Sequence, residues 1–371
     1  MKASYFASLP YGRVSEPVTR WPVPNRLFDP DRAVRVAASR MEHVALADEL
    51  GFDWVGCAEH HYSPGSLASN VSAVAAAITQ RTRRARVCIM GALLPLNNPV
   101  RIAEEYALVD TLSGGRLVAG LLRGAPYEYL VYNVPPAESR ARFEEAWELV
   151  VRAWSDTEPF GWEGDHYHFR NVSIWPRPIQ QPLPPIFISG SSKESAEFAA
   201  RKRIGLGLAF TNLAAAKPAA QHYFLQATEH GWTPSADQVI YGHLPVYLAD
   251  TDEEAFAIAR PRVEATHLAP GMLKANRLVA ESGFFGPRNP ELLRRFQTMG
   301  SGGPLSLEQQ VELGTVLCGG AATVLKQLTH IRKELGAGVI SLNFEIGDDD
   351  ETTQATMRRF ARDVLPAMHE L

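Results

Sequence analysis

The sequence predicts an α/β fold, a (β/α)8 TIM barrel, because short β-branched or apolar runs alternate with helix-length amphipathic segments. Eight such runs behave as strands buried on both faces, which favours parallel pairing. The predicted strands are 3–7, 53–57, 87–90, 117–120, 186–189, 205–209, 238–248 and 339–343. A doubly wound parallel sheet is the rival architecture. The barrel is favoured because eight units fill the chain without a domain linker.

Helix-length segments follow most of these runs. The predicted helices are 31–50, 68–82, 99–112, 138–154, 193–203, 213–230, 320–335 and a terminal helix from Glu351. Gly51 and the Gly114–Gly115 pair stop two of them, as glycine commonly does after a helix. Two stretches rich in Pro and Gly, about 155–185 and 266–310, interrupt the rhythm as insertions. We therefore expect a single barrel domain over residues 1–371.

Composition narrows the class of protein. Of 371 residues, 46% are hydrophobic and 21% charged, an ordinary globular balance. The formal net charge of -4 argues against a nucleic-acid partner. Cys57, Cys88 and Cys318 lie far apart, which indicates neither a disulfide framework nor a zinc site. Neither a signal-peptide pattern nor an apolar run of about 20 residues is present, so a cytoplasmic protein without a membrane partner is expected.

In a (β/α)8 barrel, chemistry collects in the loops that follow the strands, at the C-terminal face. The loops after the second, third, fourth and fifth strands read AEHHYS, GALLPLNNP, LLRGAPYEY and GSSKES. Each is unusual for a simple connector. These four loops are therefore the candidate site.

Glu59, His60 and His61 follow the second strand directly. Such a group serves as a metal site, a general-base pair or a hydrogen-bonded corner. Adjacent residues on an extended segment point to opposite sides, so the two histidines do not readily chelate one ion, and no metal is expected. An imidazole with a pKa of about 6.5 suits proton transfer near neutral pH. A catalytic role and a structural corner both stay open at this point.

The GSSKES loop, residues 190–195, ends a strand and opens a helix. A helix N-terminus exposes unpaired N–H groups that attract a phosphate. Ser191 or Ser192 also suits simple N-capping, which by itself is the better interpretation. Support for an anion site comes from Arg123 at the end of the fourth strand and Arg140 at the start of the next helix. Arginines pair phosphates bidentately, although either one alone is more often a surface ion pair.

Three common motifs are missing. The chain has no GxGxxG between a strand and a helix and no GxxxxGK[ST], so no dinucleotide fingerprint or P-loop is visible. It also lacks the GxSxG of the α/β-hydrolases.

Four stretches in this order carry a resemblance to a known family. They read GFDWVGCAEHHYS, LLPLNNPVRIAEEYALVDTLSGGRL, ESRARFEEAWELV and WPRPIQQPLPPIFISGSSKESAEFAA, and they fall within about residues 1–210. Together they resemble the bacterial luciferase-like, flavin-dependent monooxygenases. The resemblance implies a (β/α)8 barrel, in agreement with the strand pattern.

The resemblance also implies an activity. Such enzymes use reduced FMN as a cosubstrate, delivered by a separate NAD(P)H:flavin reductase, and react it with O2 to form a C4a-peroxyflavin. That species oxygenates a small organic substrate, here expected to be apolar. A homodimer is expected on the same basis. A deazaflavin-dependent oxidoreductase that transfers hydride, or a non-catalytic flavin-binding protein, are the alternatives.

The reaction-centre residues follow by position. His60 resembles the family's active-site histidine near the flavin C4a, and Glu59 and His61 would orient it and shape the pocket. Met90–Gly91 matches a position under the isoalloxazine ring where relatives often hold a non-proline cis peptide.

The phosphate-contacting positions match as well. The resemblance therefore favours a phosphate-binding role for the GSSKES loop over simple N-capping. The matching residues are Arg123, Arg140, Gly190, Ser191, Ser192 and Ser195. Two positions depart from the pattern: Leu122 stands where relatives often have Gly or Cys, and Asn98 where some luciferases have His. Light emission is therefore not expected.

The family's substrate lid usually occupies the second insertion, 266–310. Five apolar residues there either line a substrate pocket or pack the lid against the barrel, and the sequence leaves both open. They are Met272, Phe284, Phe285, Phe296 and Met299.

Overall fold

Eight parallel strands close into a barrel in the computed structural model, which describes residues 1–12, 14–265, 274–275, 278–284, 305–345 and 349–371. The strands are β1 (Lys2–Phe6), β2 (Trp54–Cys57), β3 (Arg86–Leu93), β4 (Leu117–Leu122), β5 (Phe160–Glu163), β6 (His168–Val172), β7 (Ile186–Ser189), β8 (Gly205–Ala209), β9 (Val239–Leu248), β10 (Leu317–Gly319) and β11 (Val339–Asn343). The barrel order is β1-β2-β3-β4-β7-β8-β9-β11, and β11 pairs with β1 to close it. The predicted barrel and its eight strands are confirmed.

Helices cover the outside of the barrel. They are α1 (Pro30–Glu49), α2 (Val71–Arg81), α3 (Pro99–Ser113), α4 (Ser139–Ser155), α5 (Lys193–Lys202), α6 (Leu213–Glu229), α7 (Asp252–Ala265), α8 (Leu307–Glu312), α9 (Ala321–Leu335), α10 (Asp350–Asp363) and α11 (Leu365–His369). The predicted helices are confirmed within a few residues, whereas α7, α8 and α11 were not predicted. None of the helices in the described ranges has the length and apolar character needed to cross a membrane.

The first insertion folds into an antiparallel hairpin of β5 and β6 that packs on α4. Glu145 of α4 holds it: Oε1 accepts hydrogen bonds from Trp162 Nε1 at 3.0 Å and the Tyr167 amide at 3.0 Å, and Oε2 accepts one from the His166 amide at 2.9 Å. The predicted ordered excursion is confirmed, and its strands are short because they cover a helix face without extending the barrel.

A further strand, β10, was not predicted. It pairs in parallel with the outer end of β9, where Leu317 aligns with Val246 and Gly319 with Leu248. The strand has three residues and ends in glycine, so it lacks the length and pattern that identify strands in a sequence. It returns the chain to the barrel after the second insertion, most of which lies outside the described residues.

The barrel interior is filled by side chains and is not a channel. The filling residues are Phe6, Trp54, Ala58, Cys88, Met90, Val118, Phe187, Ile240 and Val339. A much larger apolar cluster lies between the strands and the surrounding helices. A bound molecule of any size is therefore restricted to the mouth of the barrel, where the loops that follow the strands meet.

A buried tyrosine joins two strands just below this mouth. The pairing of β3 with β4 shifts register between Ile89 and Ala92, which leaves backbone groups without ladder partners. Tyr106 of α3 supplies them: its hydroxyl accepts from the Ala92 amide at 2.8 Å and donates to the Gly120 carbonyl at 2.8 Å. The strands therefore pass the irregularity with their polar groups satisfied.

The expected cis peptide at Met90–Gly91 is wrong. In the described residues the cis bonds are Trp21–Pro22, Trp175–Pro176, Gln181–Pro182 and, as the single non-proline case, Gly242–His243. Met90 and Gly91 instead lie in a bulge of β3, where the pairing with β4 shifts register.

We expect Gly120→Ala to destabilise the fold, because a Cβ there would lie 2.2 Å from the Ile89 carbonyl oxygen and 2.7 Å from the Phe187 ring. Overpacking of this kind costs about 1–3 kcal/mol. Thermal unfolding followed by circular dichroism measures it. Gly161→Ala is the matched control, since its Cβ would meet nothing closer than 3.4 Å. Equal midpoints for the two variants would contradict the close approach of β3 and β4.

Candidate active site

Glu59 and His61 form a pair of their own at the end of β2. His61 Nε2 lies 3.0 Å from Glu59 Oε1, and both side chains are buried. Burial lowers the pKa of His61, but the hydrogen bond to Glu59 and the charge of Glu128 outweigh it, so the net pKa is raised. The two residues stabilise each other and form a rigid corner behind the mouth.

His60 points the other way, as alternation along an extended segment requires. Its Nδ1 lies 3.3 Å from Glu128 Oε1 and 3.3 Å from the Tyr127 hydroxyl. The expectation that Glu59 and His61 orient this ring is therefore wrong: the described contacts assign that role to Glu128 and Tyr127, from the loop after β4.

The carboxylate beside His60 is buried, with 1% of its surface exposed. Its Oε2 has no hydrogen-bond partner among the described residues. An Nδ1–H that donates to Glu128 Oε1 fixes the orientation of the imidazole and leaves Nε2 outside that contact. Burial and the neighbouring charge of Glu128 raise the pKa of Tyr127, so its hydroxyl stays protonated.

The loop after β7 begins α5 with a capped N-terminus. Ser192 is the N-cap, and its Oγ accepts from the Ser195 amide at 3.2 Å and lies 3.1 Å from Ser195 Oγ. A Cβ on Gly190 would lie 2.5 Å from Ser195 Oγ, so only glycine lets the loop approach this closely. Capping by Ser192 is thus observed, and Ser191 and Ser195 are partly exposed beside it.

The two predicted arginines lie close enough for the charge of Arg140 to act on Arg123. Burial lowers the pKa of Arg123 to about 10; the charge of Arg140 lowers it further and that of Glu194 in the loop raises it. Arg123 Nη1 donates to the Phe284 carbonyl at 2.9 Å and to Ser139 Oγ at 3.3 Å. Arg140 pairs with Glu144 at 3.6 Å on the surface of α4. Arginines near one another and near a helix N-terminus are suited to an anion.

The floor of the mouth is apolar and tightly packed. Met90 is buried in the barrel interior and Leu122 packs against it at the end of β4. A Cβ on Gly91 would lie 2.2 Å from the Gly120 carbonyl oxygen. Gly91 is thus needed for strand packing, whether or not it also contacts a cofactor. Asn98 has a structural role, because its side chain caps α3 by accepting from the Val100 and Arg101 amides.

A second histidine at the mouth was missed in the sequence. His243 of β9 stacks on Phe6 with ring centroids 3.9 Å apart, and its Nδ1 lies 2.8 Å from Ser341 Oγ. Phe210, after β8, contacts both His243 and His60, with centroids 5.2 and 6.4 Å apart. No motif marks these residues; an aromatic residue directly after a strand was the only signal.

Of the five residues predicted for the lid, only Phe284 lies within the described residues. It is buried, packs edge-to-face on Tyr129 and lies 4.1 Å under the Arg123 guanidinium. Of the two alternatives for Phe284, the structure shows packing against the barrel mouth. The other four, Met272, Phe285, Phe296 and Met299, lie outside the described residues.

Two surface cavities occur away from the mouth. One lies between β9, α7 and α10, and the other between α4 and the β5–β6 hairpin. Neither is lined by a predicted site residue, so neither is assigned to the site. In the described ranges no cluster of three or more His, Cys, Asp or Glu side chains is arranged to hold a metal ion.

Several proteins of known sequence are similar to this chain. The oxygenase component of a flavin-dependent trigonelline monooxygenase from Acinetobacter baylyi is 23% identical over 352 residues, covering 93% of each chain. The alkanal monooxygenase α chain of Aliivibrio fischeri is 26% identical over 208 residues, 56% of this chain and 57% of that one. The chain spans only about half the length of several such curated relatives.

Solved structures share the fold over the whole chain. A monooxygenase from Streptomyces bottropensis superposes with a TM-score of 0.75 at 26% identity, covering 99% of each chain. The oxygenating constituent of 3,6-diketocamphane monooxygenase from Pseudomonas putida, solved with FMN, gives 0.74 at 20% identity, covering 99% and 98%. An F420-dependent secondary alcohol dehydrogenase gives 0.68 at 16%, covering 99% and 98%.

The family model described as luciferase-like monooxygenase matches residues 22–338. That range includes the Glu59–His61 turn, both arginines and the GSSKES loop, so the match and the geometry concern the same part of the molecule. The chain therefore belongs to the luciferase-like monooxygenase family.

Proposed function

We propose that this chain is the oxygenase of a two-component, FMN-dependent monooxygenase that uses reduced FMN and O2 to oxygenate a small organic substrate. One observation carries the proposal: the loop after β4 holds both the half-buried Arg123 and the two residues that contact His60. One short segment thus supplies a candidate anion-binding arginine and holds the histidine from the neighbouring loop, with an apolar floor beside them.

The residues fit the phosphate of FMN. Arg123 and Arg140 are like charges close enough to affect each other, and an anion between them relieves that repulsion. Ser191 and Ser195, with the first amides of α5, supply neutral donors to the same anion. Met90, Gly91 and Leu122 then provide an apolar surface for the ring system. Bound there, reduced FMN would supply the electrons that activate O2.

His60 is the residue we assign to proton handling. With Nδ1 held by Glu128, its Nε2 holds or releases a proton at the mouth of the barrel, next to the floor on which the ring system would rest. Glu128 and Tyr127 position the ring and do not themselves reach the mouth through the described contacts. The Glu59–His61 pair supports the turn from behind.

A separate reductase is proposed as the partner that supplies reduced FMN. The chain has no dinucleotide fingerprint, and the trigonelline relative is named as an oxygenase component. A homodimer is proposed too: α3 exposes Leu108 and Leu112 at 47% and 45%, an apolar surface that suits an interface.

The resemblance in fold to an F420-dependent dehydrogenase keeps a deazaflavin as the second candidate cofactor. Fluorescence titration with FMN and with a deazaflavin separates the two. We expect tighter binding of FMN, and O2 uptake once the bound FMN is reduced. Tighter binding of the deazaflavin, with no O2 uptake, would favour hydride transfer instead.

Replacing Arg140 by Met should weaken FMN binding by about tenfold to 100-fold, the value of one charge-assisted hydrogen bond. Riboflavin, which lacks the phosphate, should bind the variant as tightly as it binds the parent. Arg152→Met is the matched control, because Arg152 sits on the same helix with a similar exposed ion pair to Asp156. An equal loss for riboflavin would show that Arg140 does not hold the phosphate.

His60→Ala should bind FMN normally but handle O2 poorly. We expect H2O2 release after mixing reduced FMN, enzyme and O2 to become faster by on the order of 100-fold, which is the usual contribution of a general acid or base. Glu128→Gln should show a smaller change in the same direction, because it weakens the support at Nδ1. His330→Ala, an exposed histidine on α9, is the control. A His60 variant indistinguishable from the parent would remove His60 from the mechanism.

A further inference from the structure

His243 is held by three contacts around its ring. One face stacks on Phe6 with an interplanar angle of 25°, and Phe210 lies 5.2 Å away across a tilted contact. Nδ1 is bonded to Ser341 Oγ. The other nitrogen, Nε2, has no hydrogen-bond partner in the described part of the chain and is not one of its buried polar atoms.

The contacts of Ser341 decide which ring nitrogen carries the proton. Ser341 has a single hydroxyl hydrogen, and its Oγ lies 2.8 Å from His243 Nδ1 and 3.8 Å from Met90 Sδ. A thioether sulfur only accepts, so that contact uses the hydroxyl hydrogen. Both contacts are satisfied together only if Nδ1–H donates to Ser341 Oγ. Nε2 is then unprotonated and acts as a hydrogen-bond acceptor.

The ring stays neutral in this setting. Burial lowers the pKa of His243 to about 3, and the charge of His60 acts in the same direction. His60 is the titratable side chain that faces it across the mouth, with the Phe210 ring in contact with both. His243 therefore offers a permanent acceptor where His60 offers an exchangeable proton.

Phe210 provides the apolar surface next to this acceptor. Its side chain is 77% exposed, although large apolar side chains are usually buried, and its backbone has a φ of 53°. A bulky residue in the left-handed region is uncommon and costs free energy. An exposed ring held in that conformation between two histidines is placed to meet a ligand.

We propose that His243 Nε2 and Phe210 select the substrate: an apolar body packs on Phe210, and an O–H or N–H donor on that body bonds to Nε2. The proposal deepens the monooxygenase assignment and rests on it for the identity of the reaction. It changes the expected substrate class, because a purely apolar molecule would leave Nε2 unsatisfied. Phenols, anilines and similar donor-bearing ring compounds fit.

The tautomer can be tested without any ligand. Nitrogen-15 NMR of histidine-labelled protein, with His243 assigned by its absence in His243→Gln, distinguishes a protonated Nδ1 from a protonated Nε2. We expect the Nδ1–H form, unchanged between about pH 5 and pH 8. A predominant Nε2–H form would overturn the proposal, since that nitrogen would then be a donor.

The selectivity is tested with a matched pair of probes, 2-naphthol and 2-methoxynaphthalene, which differ by the donor hydrogen. Equilibrium binding should favour the naphthol in the parent relative to His243→Phe by roughly threefold to tenfold, the value of a neutral hydrogen bond. Ser341→Ala should reduce the preference, His243→Gln should retain part of it, and His330→Phe should leave it unchanged. Failure of both probes to bind, or an equal preference in His243→Phe, would overturn the proposal.

Failure of this inference and failure of the proposed function give different results. The probe ratio does not require flavin, whereas the FMN titration does not depend on His243. Normal FMN binding and O2 uptake with no probe preference would reject only the role of His243. A clear probe preference without FMN binding would reject the monooxygenase assignment and leave the acceptor site in place.

Discussion

The hydroxyl of Tyr106 is the contact on which the site depends. At the bulge between β3 and β4 it accepts from one strand and donates to the other, in a fully buried position. Without it the Ala92 amide and the Gly120 carbonyl would be buried unpaired, which costs about 1–3 kcal/mol for each such group. The residue just beyond β4 is Arg123, and Glu128 follows five positions later. Tyr106 therefore supports the strand ends from which the proposed anion site and the partners of His60 extend.

Side chains alternate in direction along the extended turn at the end of β2, so its three residues have different roles. Glu59 and His61 satisfy each other inside the protein, and His60 faces the mouth. A carboxylate followed by two histidines in sequence suggests a shared network, but the period of two places His60 on the side opposite Glu59 and His61. The buried pair supports the turn, and His60, positioned by the buried Glu128, is the residue proposed for proton handling.

The parts of this molecule that could be predicted are those encoded locally. Eight strands follow from short apolar runs, and the helices between them from spacing and glycine stops, so the barrel and its reactive face were predictable. Glu128 was not, because its link to His60 spans 68 residues and no motif marks it. His243 and Ser341 meet across 98 residues for the same reason. The bulge at Met90–Gly91 was also beyond reach, since it depends on the register of a neighbouring strand.

The pairing of β10 with the outer end of β9 has a consequence for how this enzyme can diverge. The chain leaves β9 through α7 and comes back to the same strand at Val246, so the stretch between α7 and α8 is fastened at both ends to one rigid edge. The entropy of closing a chain segment grows only logarithmically with its length, by about 0.6 kcal/mol for each doubling. Because Phe284 of this stretch accepts a hydrogen bond from Arg123, insertions or deletions away from that contact would leave the barrel in place, and new substrates could be accommodated by changes in length as well as by point substitution.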